Sequence, residues 1–508
     1  MFKGQPKGLF ALALANTGER FGYYTMIAVF ALFLRANFGL EPGTAGLIYS
    51  TFLGLVYFLP LVGGILADKF GFGRMVTTGI LVMFFGYLLL SIPLGSGTPA
   101  LIGMMAALLL ISFGTGLFKG NLQVMVGDLY NDPQYAAKRD AGFSLFYMAI
   151  NIGALFAPTA AIKIKEWAEL SLGFDGNAAY HFSFAVACVS LVVSIAIYYA
   201  FRKTFVHVEG NGGKKDKKAE IVDNLTPEQT KSRMVALFLV FAVVIFFWMA
   251  FHQNGLTLTY FANEFTERSA SGLAAMPFSV WNLVAVIAIV YALFSVFESE
   301  TSRGKWISCG VVVLAVAFLV WQYTRMTGSI AISAPIFQQF NPFYVVALTP
   351  VSMAIFGALA KKGKEPSAPR KIAYGMLVAA VAFGFMAFAS IGLNTPAYQA
   401  TVVGTDAETL VSPYWLISVY LILTFGELLL SPMGISFVSK VAPPKYKGMM
   451  MGMWFVATAL GNFLVQVGGH LWGNLPLWVV WAVFLALCLI SAAFMFVMMG
   501  RLEAATKE

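Results

Sequence analysis

Fourteen runs of this chain are apolar and long enough to cross a bilayer, and that feature leaves few folds open. They fall at approximately 9–34, 44–67, 75–94, 100–127, 141–163, 180–201, 234–262, 276–297, 306–325, 335–360, 372–394, 412–439, 448–472 and 477–500. A crossing takes about 20 apolar residues. In hydrocarbon every backbone N–H and C=O needs an internal partner, so such runs fold as helices. The chain is therefore expected to be an all-α membrane protein. Composition agrees: 11% of residues are charged, against about 25% in soluble domains. The longest hydrophilic stretch, 202–233, is too short for a soluble catalytic domain. The first apolar run is too long, and too polar at its centre, for a cleavable leader.

An even number of spans puts both termini on one side. Of the 33 lysines and arginines, Arg35, Lys163, Lys165, Arg268 and Arg325 fall on the opposite side, and Arg20 and Lys119 fall inside spans; the rest share the side of the termini. Basic loops stay cytoplasmic, so both termini are expected in the cytoplasm of a cell bounded by this inner (plasma) membrane. The net charge of +9 then reflects topology and contact with the lipid bilayer, with no nucleic acid partner. Cys188, Cys309 and Cys488 lie far apart in apolar segments and indicate neither a disulfide framework nor a metal site. The glycine-rich, charged stretch 209–218 reads as a flexible linker. The expected organisation is a six-helix bundle over 1–201, a basic linker over 202–233, a second bundle over 234–500 with an extra helix pair at about 276–325, and a tail over 501–508. Two such halves are the layout of major facilitator transporters. A faint echo, Gly64-Ile-Leu-Ala-Asp68-Lys-Phe-Gly71 against Gly357-Ala-Leu-Ala-Lys-Lys-Gly363, fits two halves.

Polar residues inside the spans mark the places where chemistry is possible, because each costs roughly 2.5–3.5 kcal/mol if it is charged. In the first span Asn16, Glu19, Arg20, Tyr23, Tyr24 and Ile27 recur at helical spacing and share one face. Lys119 sits in the fourth span beside Gly114 and Gly116, which allow close helix approach. Glu427 is the only acid in 412–439 and precedes Pro432, which is expected to open the backbone there. It could pair with a substrate amine, carry a proton, or partner Arg20 or Lys119. His252 precedes Gln253, Asn254 and a helix-breaking Gly255; it is either a packed core histidine or a titrating one. Asn151 and Asn341 are intramembrane amides that serve as helix–helix glue or as ligands. The loop Asp68 to Arg74 is expected to gate by pairing across the cytoplasmic face or by capping a helix. No nucleotide-binding loop, metal cluster or nucleophile–base pairing appears, so neither an enzyme nor an ATP-driven pump is expected, and no cofactor.

Three segments together resemble the proton-dependent oligopeptide transporter family of the major facilitator superfamily: Glu19-Arg20-Phe21-Gly22-Tyr23-Tyr24, Phe146-Tyr147 through Asn151-Ile-Gly153, and Gly426-Glu427 through Pro432. The resemblance implies two six-helix bundles plus two extra spans, and symport of di- and tripeptides with protons by alternating access. It implies that Glu19, Arg20 and Glu427 join proton coupling, with His252 as a further candidate. Lys119 would bind the peptide carboxylate, and Glu427, Asn151 and Asn341 the amino end. Tyr23, Tyr24, Tyr57, Trp248 and Trp454 would line side-chain pockets.

The chain also departs from the family pattern. Asn16 stands where an acid is usual, Ile27 where an arginine is frequent, His252 where the seventh helix usually offers an acid, and Gly120 where a proline usually follows the lysine. The extra pair follows the seventh span rather than the sixth. These departures motivate alternatives: a transporter of another zwitterion or anion with weakened proton coupling, or a nutrient receptor that does not transport. A monomer is expected.

Overall fold

In the computed structural model the described residues are 4–136, 138–210, 225–299 and 301–507. Most of the expected linker, 211–224, lies outside them. The described residues are helical almost throughout, and among them are fourteen helices long and apolar enough to span a membrane. We number them α1 (Lys7–Phe38), α2 (Pro42–Phe70), α3 (Phe72–Leu90), α4 (Thr98–Asp128), α5 (Arg139–Leu172), α6 (Tyr180–Ala200), α7 (Pro227–Phe251), α8 (Val280–Glu298), α9 (Ser302–Arg325), α10 (Phe340–Lys361), α11 (Ala368–Ala389), α12 (Tyr414–Val441), α13 (Lys447–Phe463) and α14 (Leu477–Lys507). Each matches one apolar run. Among the differences, α7 stops eleven residues before 262, and α5 runs nine residues past 163. Its extra turns carry Lys163–Glu166 and Lys165–Glu169 pairs, whose i,i+3 and i,i+4 spacing supports a helix beyond the apolar layer.

Packing repeats between the halves. In the first, α1 packs on α5 and α6, α2 on α4, and α3 on α4 and α6; in the second, α7 packs on α13 and α14, α10 on α12, and α11 on α12 and α14. The correspondence makes α1–α6 and α7, α10–α14 two six-helix bundles of the same architecture. It also explains the glycine-rich echo, since 64–71 ends α2 and 357–363 ends its counterpart α10. Even the close crossings match. A Cβ on Gly79 (α3) would stand 2.7 Å from the carbonyl of Gly114 (α4), and one on Gly375 (α11) would stand 2.9 Å from that of Gly426 (α12). Without a hydrophobic driving force between helices in lipid, such backbone contact is what holds them.

The pair α8–α9 packs on itself and on the flank of α10. Of α9 only Ser308 is buried. The pair therefore stands outside both bundles, inserted after the first helix of the second one. A two-stranded ribbon, β1 (Ser269–Ser271) with β2 (Ser329–Ala331), ties its ends together.

The bundles meet along two seams: α2 against α13 and the short helix Gln466–Leu471, and α5 against α10 and the 3₁₀ turn Ala334–Gln339. At the end away from the termini, called the far end below, Arg35 pairs with Glu264 across the interface. There His470 also lies against Gly43 so tightly that a Cβ would meet its ring at 2.5 Å.

Candidate functional site

The polar face of α1 turns inward as its spacing predicts: Asn16, Glu19, Arg20, Tyr23 and Ile27 are all buried. Glu19 and Arg20 are neighbours in sequence and point along one another. Arg20 donates to Glu19 through Nε (2.5 Å) and Nη2 (2.6 Å), a bidentate pair 1% and 3% exposed. Its guanidinium also lies over the Tyr23 ring, 4.6 Å from the centroid. The most expensive charges in the first span thus neutralise each other, and Glu427 is not the partner of Arg20.

Lys119 on α4 has no carboxylate partner among the described residues. Its ammonium sits over the ring of Tyr57 (α2), 3.7 Å from the centroid, close enough for a cation–π contact. Tyr57 faces His252 across the interface at 6.2 Å between ring centroids, and His252 stacks on Trp248 at 5.3 Å and 24°. His252 Nε2 is buried without a hydrogen-bond partner, and so is the indole N–H of Trp248.

The helix break that presents His252 falls where the sequence predicts, as a 3₁₀ turn over His252–Gly255 between α7 and the short helix Thr257–Glu264. Side chains lace the freed backbone. Gln253 donates to the carbonyls of Met249 (3.1 Å) and Val465 (3.0 Å), and the Tyr420 hydroxyl donates to that of Asn254 (3.0 Å). Gly255 is required, since a Cβ would strike the Tyr49 hydroxyl at 1.9 Å.

Glu427 occupies the middle of α12, 8% exposed. Its Oε2 accepts from Asn341 Nδ2 at 2.9 Å, which also contacts Thr424 Oγ1 at 3.0 Å; its Oε1 faces the Tyr147 hydroxyl of α5 at 3.5 Å. The carboxylate is thus held by neutral donors, one from each bundle.

Pro432 does not open α12 as expected: the helix runs unbroken from Tyr414 to Val441, because a proline removes one backbone hydrogen bond and leaves the rest of the ladder in place. Asn151 donates to the carbonyl of Tyr147 one turn back on its own helix (3.0 Å). Trp454 is 3% exposed and lies against Gly434 of α12, where a Cβ would meet its ring at 1.9 Å. Asp68 and Arg74 are exposed and make neither an ion pair nor a cap among the described residues. Their loop is instead covered by the chain that follows α6. The carbonyl of Glu209 accepts from Gly73 N (3.0 Å), and its carboxylate accepts from Arg202 (2.6 Å) and the Tyr198 hydroxyl (2.9 Å).

Sequence reasoning did not single out Tyr147, Glu264 or Glu209. Tyr147 lay inside a quoted motif. Nothing local marks Glu264 or Glu209, because their partners are distant in sequence or lie in loops.

This geometry defines a two-bundle membrane transporter with polar residues buried where the bundles meet. The chain belongs to the POT family, whose profile it matches over residues 74–226 and 316–471. It is 30% identical to the transporter YclF of Bacillus subtilis over 493 residues, covering 92% of this chain and 88% of that one. It is 29% identical to the peptide transporter YePEPT of Yersinia enterocolitica (92% and 88% covered), and 28% identical to dipeptide and tripeptide permease B of Salmonella typhimurium (92% and 86%). Among solved structures, a peptide transporter POT in complex with sulfate superposes with a TM-score of 0.74 at 24% identity, covering 100% of this chain and 97% of that one. A POT family transporter in complex with 5-aminolevulinic acid superposes with a TM-score of 0.73 at 21% identity, covering 100% and 98%.

Proposed function

We propose that this protein imports di- and tripeptides together with protons, as a monomer in the plasma membrane with both termini in the cytoplasm. One observation carries the reading: among the described residues a half-buried cation, Lys119, and a buried anion, Glu427, each have only neutral partners, while the remaining intramembrane pair, Glu19–Arg20, is self-neutralised. Uncompensated charges are costly in a low-dielectric interior. A zwitterion long enough to bridge them would satisfy both at once. Its carboxylate takes Lys119 and its ammonium takes Glu427, with the Asn341 amide orienting that carboxylate. Reading only the two ends accommodates many side chains, which Tyr23, Tyr24, Tyr57 and Trp248 would contact. The names of the Yersinia and Salmonella relatives support peptides as the substrate class.

Glu19, Glu427 and His252 are the candidate proton carriers. A proton on Glu19 would release Arg20, and one on Glu427 would weaken its hold on the ammonium; either event couples binding to the state of the interface. The membrane potential favours inward movement by about 2.3 kcal/mol per charge per 100 mV. In this orientation the far end is extracellular, and the Arg35–Glu264 pair closes it.

The test is uptake of a labelled dipeptide into proteoliposomes with and without an inward proton gradient. Accumulation above equilibrium only with the gradient supports the reading. Uptake that merely equilibrates would remove coupling. Binding without uptake would point to a receptor, and no binding of dipeptide by folded protein to another zwitterion or anion.

A further inference from the structure

The extra pair belongs to the second bundle in sequence, yet its first helix touches both. Besides packing on α10, α8 reaches α5 of the first bundle. Its attachment to the second bundle is threefold. The ring of Phe278, just before α8, stands against Phe337 and Phe340, with centroids 5.7 and 6.1 Å apart. The Tyr414 hydroxyl of α12 donates to the carbonyl of Ala274 (3.0 Å), and that of Tyr291 on α8 donates to the carbonyl of Val346 on α10 (3.1 Å).

The contacts with α5 fall at two levels. At the upper one the rings of Trp281 (α8) and Phe156 (α5) meet edge to face, 5.5 Å between centroids and 63° between planes. One turn further along α5, Thr159 donates to Gln339 Oε1 (3.2 Å); Gln339 is fully buried, and its Nε2 points at the carbonyls of Pro277 and Phe278, which lead into α8 (3.5 Å each). At the lower level the Tyr291 hydroxyl lies 3.9 Å from Met148 Sδ of α5. Met148 to Phe156 is roughly 12 Å of helix rise and Tyr291 to Trp281 roughly 15 Å, as befits two antiparallel helices side by side. Met148 adjoins Tyr147, whose hydroxyl faces Glu427, so the lower contact stands level with the central site. Alternating access rocks one bundle against the other around that site. Contacts at its level move little, whereas those about 12 Å toward the far end must part when that end opens.

We infer that α8 is a strap: fastened to the second bundle, it grips α5 through the Trp281–Phe156 contact and biases the transporter toward the state closed at the far end. This hold is separate from the Arg35–Glu264 pair, because it acts at the α5–α10 seam and from the membrane-facing side. Trp281 is 59% exposed, so its ring serves the contact with α5 rather than the core of either bundle. The inference rests on the protein alternating between two states and is independent of what it carries.

The experiment measures a spin-label distance across the far end, between the exposed positions E41C and T401C in a C309S background, on the full chain in nanodiscs without substrate. W281A should raise the ratio of long-distance to short-distance population about 2- to 12-fold, the range an aromatic pair supports. F156A should do the same, and the double variant should add little to either. W281F keeps an aromatic edge against Phe156 and should stay close to the parent. F297A, which removes an exposed ring near the other end of α8, should leave the distribution unchanged. No shift in W281A and F156A would overturn the strap, and so would additive shifts in the double variant or an equal shift in F297A. Because the readout needs no transport, such a failure is distinct from a failure of peptide uptake.

Discussion

Replacing Glu264 with Gln should open the far end of the interface. Glu264 accepts from Arg35 of the opposite bundle and from the Trp472 indole at 3.0 Å, and Arg35 lies over the Tyr260 ring at 4.7 Å. The two charged side chains are 27% and 14% exposed, between a surface pair, worth about 0–1 kcal/mol, and a fully buried one, which costs about 3–5 kcal/mol to break. Gln keeps an acceptor for Trp472 and leaves the cation–π contact intact, so the change removes chiefly the charge term. After allowance for solvent screening, a loss of about 1–2 kcal/mol follows, equal to a factor of roughly 5–30 in the closed-to-open ratio. The assay is a spin-label distance between exposed far-end positions, E41C on the first bundle and T401C on the second, in a C309S background; Cys188 and Cys488 are buried and can remain. The long-distance population should rise in E264Q, and equally in R35Q. The double variant should add little to either, as expected of partners in one interaction. An unchanged distance distribution in both single variants would refute the reasoning and place closure in the Gly43–His470 seam instead.

Removing the amide in N341A leaves Glu427 with only the long Tyr147 contact, so the apparent KM for a dipeptide should rise about 5- to 150-fold, equivalent to ~1–3 kcal/mol; transport titration reads it. E427Q should abolish accumulation while leaving the protein folded, and normal uptake by that variant would remove the residue from coupling. If Lys119 reads the carboxylate, K119A should lose the preference for a free dipeptide over its C-terminal amide in competition assays, whereas a merely structural lysine would leave the preference intact. G114V would place its Cβ 2.6 Å from the Gly79 carbonyl, backbone that cannot yield; thermal unfolding in detergent should show a loss of at least ~1–3 kcal/mol. In the far-end loop, the Gly404 N–H and Arg268 hold the Glu408 carboxyl below its usual range. A depressed folded pKa stabilises above the unfolded value, here 4.5, and that contribution is lost as pH falls through the folded value. Proteolytic sensitivity of the 390–413 loop should therefore increase on acidification in the native protein, and E408Q should abolish the pH dependence.

The sequence determined the membrane fold, because hydrocarbon leaves a run of 20 apolar residues only one way to satisfy its backbone. All fourteen spans were legible for that reason, and so was the inward face of α1, since a charged stripe at helical spacing cannot face lipid. The break at His252–Gly255 was legible too, from a glycine following three polar residues. Pro432 misled because one missing backbone hydrogen bond does not by itself break a long helix. Only the tertiary structure decided how the charges distribute. Glu19 and Arg20 pair with each other, Lys119 finds an aromatic face, Glu427 gathers neutral donors from two bundles, and Glu264 meets Arg35 across 229 residues of chain. In a low-dielectric interior each charge takes its partner from whatever packing brings within a few ångströms, and that proximity is set by helix crossings, which sequence spacing along one helix does not encode.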